Sequence, residues 1–240
     1  MPVHNTPAKL LEYSILSCLN QTCQDFELLI IDASTSQETL AALNRFKNIS
    51  RVKLIKQIKV PNQNGISAAT NTGIRLSSYD LIVRMDSDDV MFENKIEKQL
   101  RFLNQNPETE ILGTQIRFSN NGWITAHPSI IEPATLLKYS TEWFINNPTV
   151  MFRKSVFSKV GYFDESQQFS PEDYDFYTRC VLSKIGMRNL DECLLDYNWG
   201  TANTSARCSK NIIFTQNTQK LRDSFLMRLL SDQAKIASSC

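Results

Sequence analysis

The sequence predicts an α/β fold built on a largely parallel sheet. Three observations carry this reading. Short apolar strand runs alternate with helical patterns through the first half of the chain. The strand runs are rich in Ile, Leu and Val, as strands buried on both faces are. Acidic residues, Asp32 and the Asp86-Ser87-Asp88-Asp89 cluster, fall at strand exits, where ligands gather in such sheets.

The elements follow in order. Thr6-Pro7 opens a first helix, since proline at an early helical position loses no needed hydrogen bond, and Leu11, Ile15, Cys18 and Leu19 then share one face. Phe26 to Asp32 is a strand with a polar exit, and Val52 to Ile55 is a shorter one. Gly65 to Leu76 forms a helix with Ile66, Ala69 and Gly73 as a narrow packing face. Asp80 to Met85 is the next strand, and Ile96, Leu100 and Leu103 mark the helix after it.

The second half is less regular. Ile111 to Phe118 reads as a strand, Asn120-Asn121-Gly122 as a turn, and Thr149 to Phe152 as a short strand. Ser170-Pro171-Glu172-Asp173 begins a helix, and Leu194-Leu195 lies in an extended stretch. From Asn211 the chain reads as a helical tail, with Leu221, Phe225, Leu226, Leu229 and Leu230 supplying apolar surface. No repeat or linker divides the chain, so the two halves are expected to share one sheet.

Composition excludes several function classes. The net charge of +1 gives no basic field for nucleic acid. No apolar run approaches the roughly 18–20 residues that cross a bilayer. The start lacks the basic–apolar–small order of a secretory signal. Six cysteines without a C-x-x-C pair, and only two histidines, argue against structural zinc and for reduced thiols in the cytoplasm. The chain has no G-x-G-x-x-G, no P-loop motif and no G-x-S-x-G, which disfavours a dinucleotide site, a P-loop nucleotide site and a serine hydrolase.

The acidic cluster carries the chemistry. Three carboxylates at a strand exit repel one another unless a divalent cation joins them, and hard cations such as Mg²⁺ or Mn²⁺ prefer carboxylate and phosphate oxygen. The cluster therefore suggests a metal–diphosphate site, against the plainer reading of a solvated turn. Glu172-Asp173 also has two readings. These residues either complete a helix cap with Ser170 and Pro171, or place Asp173 in the same cleft to accept a proton from an attacking hydroxyl. Asp32 either caps the turn after its strand or accepts hydrogen bonds from a nucleotide. Asn64, Gly65 and Asn71 are helix-start and packing residues or line a nucleotide pocket. Trp143 and Trp199 read as core or rim aromatics before sugar platforms.

The ordered segments resemble the inverting glycosyltransferases of family 2, which have the GT-A fold. They are Met1-Pro2-Val3-His4-Asn5, Ser17 to Thr22, Asp25 to Asp32, Asn64 to Gly73, Arg84 to Asp89, Pro148 to Arg153 and Glu172 to Asp175. The resemblance spans roughly residues 1–198. It implies a Rossmann-like nucleotide-binding sheet with a fused acceptor-side region and a helical tail. The expected organisation is one domain over 1–205, with a nucleotide-sugar half at 1–118, an acceptor half at 119–205 and the tail at 206–240.

By resemblance, Asp86 and Asp88 form a D-x-D with Asp88 the direct metal ligand, and Asp89 assists through the metal's water shell. Asp173 matches the catalytic base, Asp32 the acidic position that helps hold the nucleotide, and His4 the position where an aromatic often lies beside the nucleobase. Asn64 and Asn71 line the nucleotide pocket. The implied cofactor is divalent Mn²⁺ or Mg²⁺. The implied partners are a nucleotide-sugar, usually a UDP-sugar, and a glycan or lipid-linked acceptor in surface polysaccharide assembly.

The chain also departs from the family. Its first strand lacks the apolar residues that usually precede Met-Pro-Val, so either translation begins upstream or the strand is shortened. Asp32-Ala33 stands where two acidic residues are common. Asn147, and the Asn198-Trp199-Gly200 stretch, stand where relatives carry histidine. The competing readings are a catalytically weak GT-A-like binding protein and a nucleotidyltransferase on a similar sheet. The tail either packs on the domain or attaches the protein to the inner face of the membrane, and packing is the expected fate.

Overall fold

The computed structural model describes residues 1–58, 60–61, 63–133, 143–166, 171–199 and 212–238. Three parallel strands form one sheet in the order β1 (Pro2–Val3), β2 (Leu28–Asp32), β3 (Val52–Lys56). A six-stranded sheet holds β4 (Leu81–Val83), β5 (Val90–Met91), β6 (Ile111–Phe118), β7 (Ile130–Ile131), β8 (Met151–Arg153) and β9 (Met187–Tyr197). Its order is β4-β8-β6-β9-β5, with β7 also on β9. Only β6 and β9 pair in parallel there; the other pairings are antiparallel.

The expectation of one shared sheet is therefore corrected. The two halves do meet in the six-stranded sheet, but β1–β3 stand apart from it. Beyond the two residues of β1, β2 and β4 are separated by a cavity of about 470 Å³, lined by Leu28, Leu29, Leu81, Val83, Met85 and Met151 among others. The expected strand at Thr149 begins later, at Met151, because Asn147–Thr149 forms a 3-10 turn. Thr149 Oγ1 accepts the Thr114 N–H there at 3.0 Å, which ties the turn to β6.

Helices cover both sheets. They are α1 (Ala8–Leu19), α2 (Gln37–Asn44), α3 (Gly65–Leu76), α4 (Lys95–Gln105), α5 (Ser155–Val160), α6 (Glu172–Leu182) and α7 (Ile212–Ser238). In α1 the expected face of Leu11, Ile15 and Cys18 is buried. At the start of α3, Asn64 Oδ1 accepts the N–H groups of Ile66 and Ser67, satisfying donors that a helix N-terminus leaves open. Gly73 faces β2, and a Cβ there would make an ordinary contact with Ile31 Cγ1 at 3.5 Å.

Within the six-stranded sheet, β6 is buried on both faces from Ile111 to Ile116. In β6, Ile111 belongs to an aromatic-rich core with Phe152, Phe157, Phe163, Phe176 and Tyr177. The next residue, Leu112, belongs to a second core with Val3, Leu11, Ile15, Ile30 and Leu103. This alternation places successive β6 side chains in different cores. The tail helix α7 packs Leu221 and Phe225 against the aromatic core. Among the described residues no helix is long and apolar enough to cross a membrane.

Candidate active site

Three strand exits and one helix start converge. β1 exits through His4, Asn5 and Thr6. Asn5 adopts φ +54° and its Oδ1 accepts the N–H groups of Thr35 and Ser36, knitting this exit to that of β2. Thr6 Oγ1 lies 2.6 Å from Ser87 Oγ, inside the acidic cluster that follows β4. Ser14 of α1 donates to the Asp86 backbone oxygen at 2.8 Å. The acidic cluster is thus fixed from the exit of β1 and from α1 by hydroxyl contacts.

Within the cluster the carboxylates differ. Asp86 is part-exposed and accepts from Arg84 at 2.6 Å. Asp88 is pushed up to about 6 by burial and by the charge of Asp86, and the Asn198 side chain hydrogen-bonds to it. Asp89 is buried. Its Oδ1 accepts the Asn198 N–H at 2.8 Å, its Oδ2 has no partner, and burial and then Asp86 hold its carboxyl well above the usual range. Among the described residues no three acidic, histidine or cysteine side chains form a ready-made metal cage. The donor set still fits a hard cation that draws its other ligands from diphosphate and water. Asp86 and Asp88 repel each other, and the orphaned Asp89 oxygen lies behind them.

Glu172 and Asp173 open α6 with Pro171 at the cap position. Ser170, the expected N-cap, lies outside the described residues. Asp173 Oδ1 accepts the Tyr174 N–H at 2.8 Å. Burial lifts Asp173 to about 6, while the Arg84 charge opposes that lift. Glu172 rises to about 8, through burial and then the charge of Asp173. Asn64 reaches Glu172 Oε2 with its amide at 3.4 Å, so one residue caps α3 and touches the start of α6.

Arg84 is the residue that sequence reasoning quoted but did not assign. It is buried, donates to Thr70 Oγ1 and Asp86 Oδ1 at 2.6 Å each, and leaves Nε without a partner. Its charge acts on Glu172, Asp173 and Tyr177. The signal was an arginine interrupting an apolar strand run, a position that needs paired charge. Asn198 was also missed, because its contacts to Asp88 and Asp89 join segments far apart in sequence.

The remaining expected residues divide. His4 is exposed at the exit of β1, one residue past Val3, which is in register with Asp32. Asp32 is committed to local contacts, with Oδ1 accepting the Ser34 N–H at 2.8 Å and Oδ2 pairing with Lys56 at 3.0 Å. Asn71 uses its amide on Phe163 O and Glu165 Oε1, and its Oδ1 accepts the Phe163 N–H. This buried side chain fastens α3 to the segment before α6, which is the packing alternative for that position.

A family model described as glycosyl transferase family 2 matches residues 1–161. The chain belongs to this family. It is 35% identical over 211 residues to the O-antigen biosynthesis glycosyltransferase WbnJ of Escherichia coli, covering 82% of this chain and 77% of the relative. Among solved structures, a Staphylococcus aureus TarS fragment in complex with UDP-GlcNAc superposes with a TM-score of 0.71 at 16% identity, covering 94% of this chain and 66% of that one. The mannosyltransferase PcManGT of Pyrobaculum calidifontis, in complex with GDP-Man and Mn²⁺, gives a TM-score of 0.64 at 14% identity, covering 86% and 57%. The complete TarS chain is longer still, and this chain spans 36% of it. The fold is GT-A, and the enzyme is a glycosyltransferase.

Proposed function

We propose that the enzyme transfers a sugar, with inversion, from a UDP-sugar to a hydroxyl of a surface-glycan or lipid-linked acceptor on the cytoplasmic side of the membrane. The single observation that carries this is the placement of the buried Glu172–Asp173 pair at the start of α6, where the same Arg84 that donates to Asp86 acts on both carboxyls. Burial raises the proton affinity of both carboxyls, and the Arg84 charge opposes that rise in each. A buried carboxylate whose proton affinity is raised toward the working pH is suited to act as a general base.

Asp173 accepts the acceptor hydroxyl proton as the oxygen bonds to the anomeric carbon, and the bond from that carbon to the diphosphate oxygen breaks. Arg84 holds Asp86 in place and keeps Asp173 ionised. Asp86 and Asp88 would hold a divalent cation, with Asp89 behind them. When bound, that cation neutralises the departing diphosphate as a Lewis acid and template. His4 and Asp32 stand at the nucleotide end, with Asn64 at the junction of α3 and α6. O-antigen assembly in WbnJ and the UDP-sugar complex of TarS support the donor and pathway classes.

The test is a screen of UDP-sugars with Mn²⁺ and candidate acceptors, reading nucleoside diphosphate release. Transfer releasing diphosphate is expected. Pyrophosphate release would identify a nucleotidyltransferase, and donor binding without turnover across the screen would favour the weak binding protein.

A further inference from the structure

β4, β6 and β9 run in the same direction, so their carboxyl ends share the edge that carries the acidic cluster. Four aromatic rings gather there. Phe118, the last residue of β6, is the hub, with its centroid 5.2 Å from Trp123, 5.5 Å from Tyr197 and 5.6 Å from Trp199. The backbone fixes the arrangement. Phe118 N–H donates to Trp123 O at 2.8 Å, Ser119 N–H to Tyr197 O at 2.9 Å, and Trp199 N–H to Ser119 Oγ at 3.1 Å. Gly122, at φ +72°, makes the turn that brings Trp123 back over Phe118.

A cluster built only for packing would bury its largest rings, because each carries a large apolar area. Here Trp123 is 59% exposed and Trp199 is 37% exposed. The platform adjoins the active site, because Asn198, between Tyr197 and Trp199, holds Asp89 through its N–H and Asp88 through its side chain. The nearby cation is already answered, since Arg117 pairs with both oxygens of Asp196 at 2.6 and 2.7 Å. The surface is thus aromatic and locally neutral, with exposed Ser119, Asn120 and Asn121 at its rim.

We propose that Trp123 and Trp199 form an acceptor subsite on which a neutral pyranose ring of the glycan stacks. The proposal rests on the glycosyl-transfer reading above. A pyranose presents C–H groups on one face and hydroxyls at its edge. The C–H face lies on the electron-rich indole faces and the edge hydroxyls meet the polar rim. Asn198, flanked by Tyr197 and Trp199, itself makes the contacts to Asp88 and Asp89, so a ring stacked here lies beside the acidic cluster.

The experiment uses saturation-transfer NMR with the methyl glycosides of glucose, galactose, N-acetylglucosamine and N-acetylgalactosamine as probes. Wild type is compared with Trp123→Ala, Trp199→Ala and Trp123→Phe, and calorimetric UDP–Mn²⁺ binding is measured on each. At least one glycoside should receive saturation on its C–H face. Both alanine variants should weaken that binding at least roughly tenfold, with Trp123→Phe recovering part of it and UDP affinity unchanged. UDP binding with no saturation of any probe, or saturation undiminished in both alanine variants, overturns the subsite alone. A wild type that binds no UDP overturns the UDP-donor reading, while saturation of the glycosides still decides the subsite.

Discussion

Arg84 sits in an otherwise apolar stretch, bonded to Thr70 and Asp86, while its field reaches Glu172 and Asp173. The carboxylates around it were legible in the sequence as two motifs, but their coupling was not, because it passes through a third residue. Changing Asp88→Asn should weaken Mn²⁺-dependent UDP binding while leaving metal-free uridine binding intact; equal affinities in both proteins would reduce the cluster to a turn. Asp173→Asn keeps the size of the side chain but loses basicity, so turnover should fall roughly 10²-fold or more with donor affinity held. In wild type, turnover should decline as pH drops through about 6, where Asp173 takes up its proton. A flat profile across that range would remove Asp173 as the base.

Glu172 makes a separate claim about stability. Its folded-state affinity for protons is raised from 4.5 to about 8, so between those values the folded chain binds a proton that the unfolded chain has released. Stability contributed this way is present below 4.5 and is lost as pH rises toward 8. Glu172→Gln retains an acceptor for Asn64 and has no charge to bury. It should flatten the fall in melting temperature across that window and leave the protein more stable than wild type at pH 8. An unchanged slope would show that Glu172 is solvated.

At the scale of elements, locality decided what the sequence revealed. α1, α3 and β6 were legible because one face, one cap or one apolar run defines each. β9 was visible only as Leu194-Leu195, since Asp191 and Glu192 interrupt its apolar pattern. Its pairing with β6 shifts register between Thr114 and Ile116, and such irregularities hide a strand. β5 and β7 are two residues each and take their form from pairing with β9. The tail was legible as amphipathic, with its partner open. Phe225 is buried at 4% exposure in the aromatic core, and Arg222 lies 5.3 Å from the Tyr174 ring, which places α7 against α6. Phe225→Ala should therefore cost roughly 3–5 kcal/mol of unfolding free energy. Undisturbed melting combined with lost binding to anionic liposomes would instead make the tail a membrane anchor.

At the scale of the whole molecule, the division into two sheets is what the sequence could least disclose, because strand pairing is non-local. β2 and β4 are both apolar, yet Leu81, Ile82 and Val83 are only half-buried, since the cavity of about 470 Å³ lies beside them. The sheets are held together instead by packing of α1, α3 and α4, and by hydrogen bonds such as Thr6–Ser87 and Arg84–Thr70. An open cleft of this kind leaves its lining short of packing partners and forgoes dispersion contacts. Val83 lines the cavity and packs with the core beneath β2. Val83→Ile keeps the β-branch that suits a strand and adds one methylene where space exists. Burying it should contribute about 0.8 kcal/mol. That corresponds to a rise in melting temperature of roughly 2–3 °C for a chain of this size. A well-packed site would respond in the opposite sense, losing about 1–3 kcal/mol to strain. A lowered melting temperature in Val83→Ile would therefore mean that β2 and β4 close on one another in solution and that the two sheets act as one.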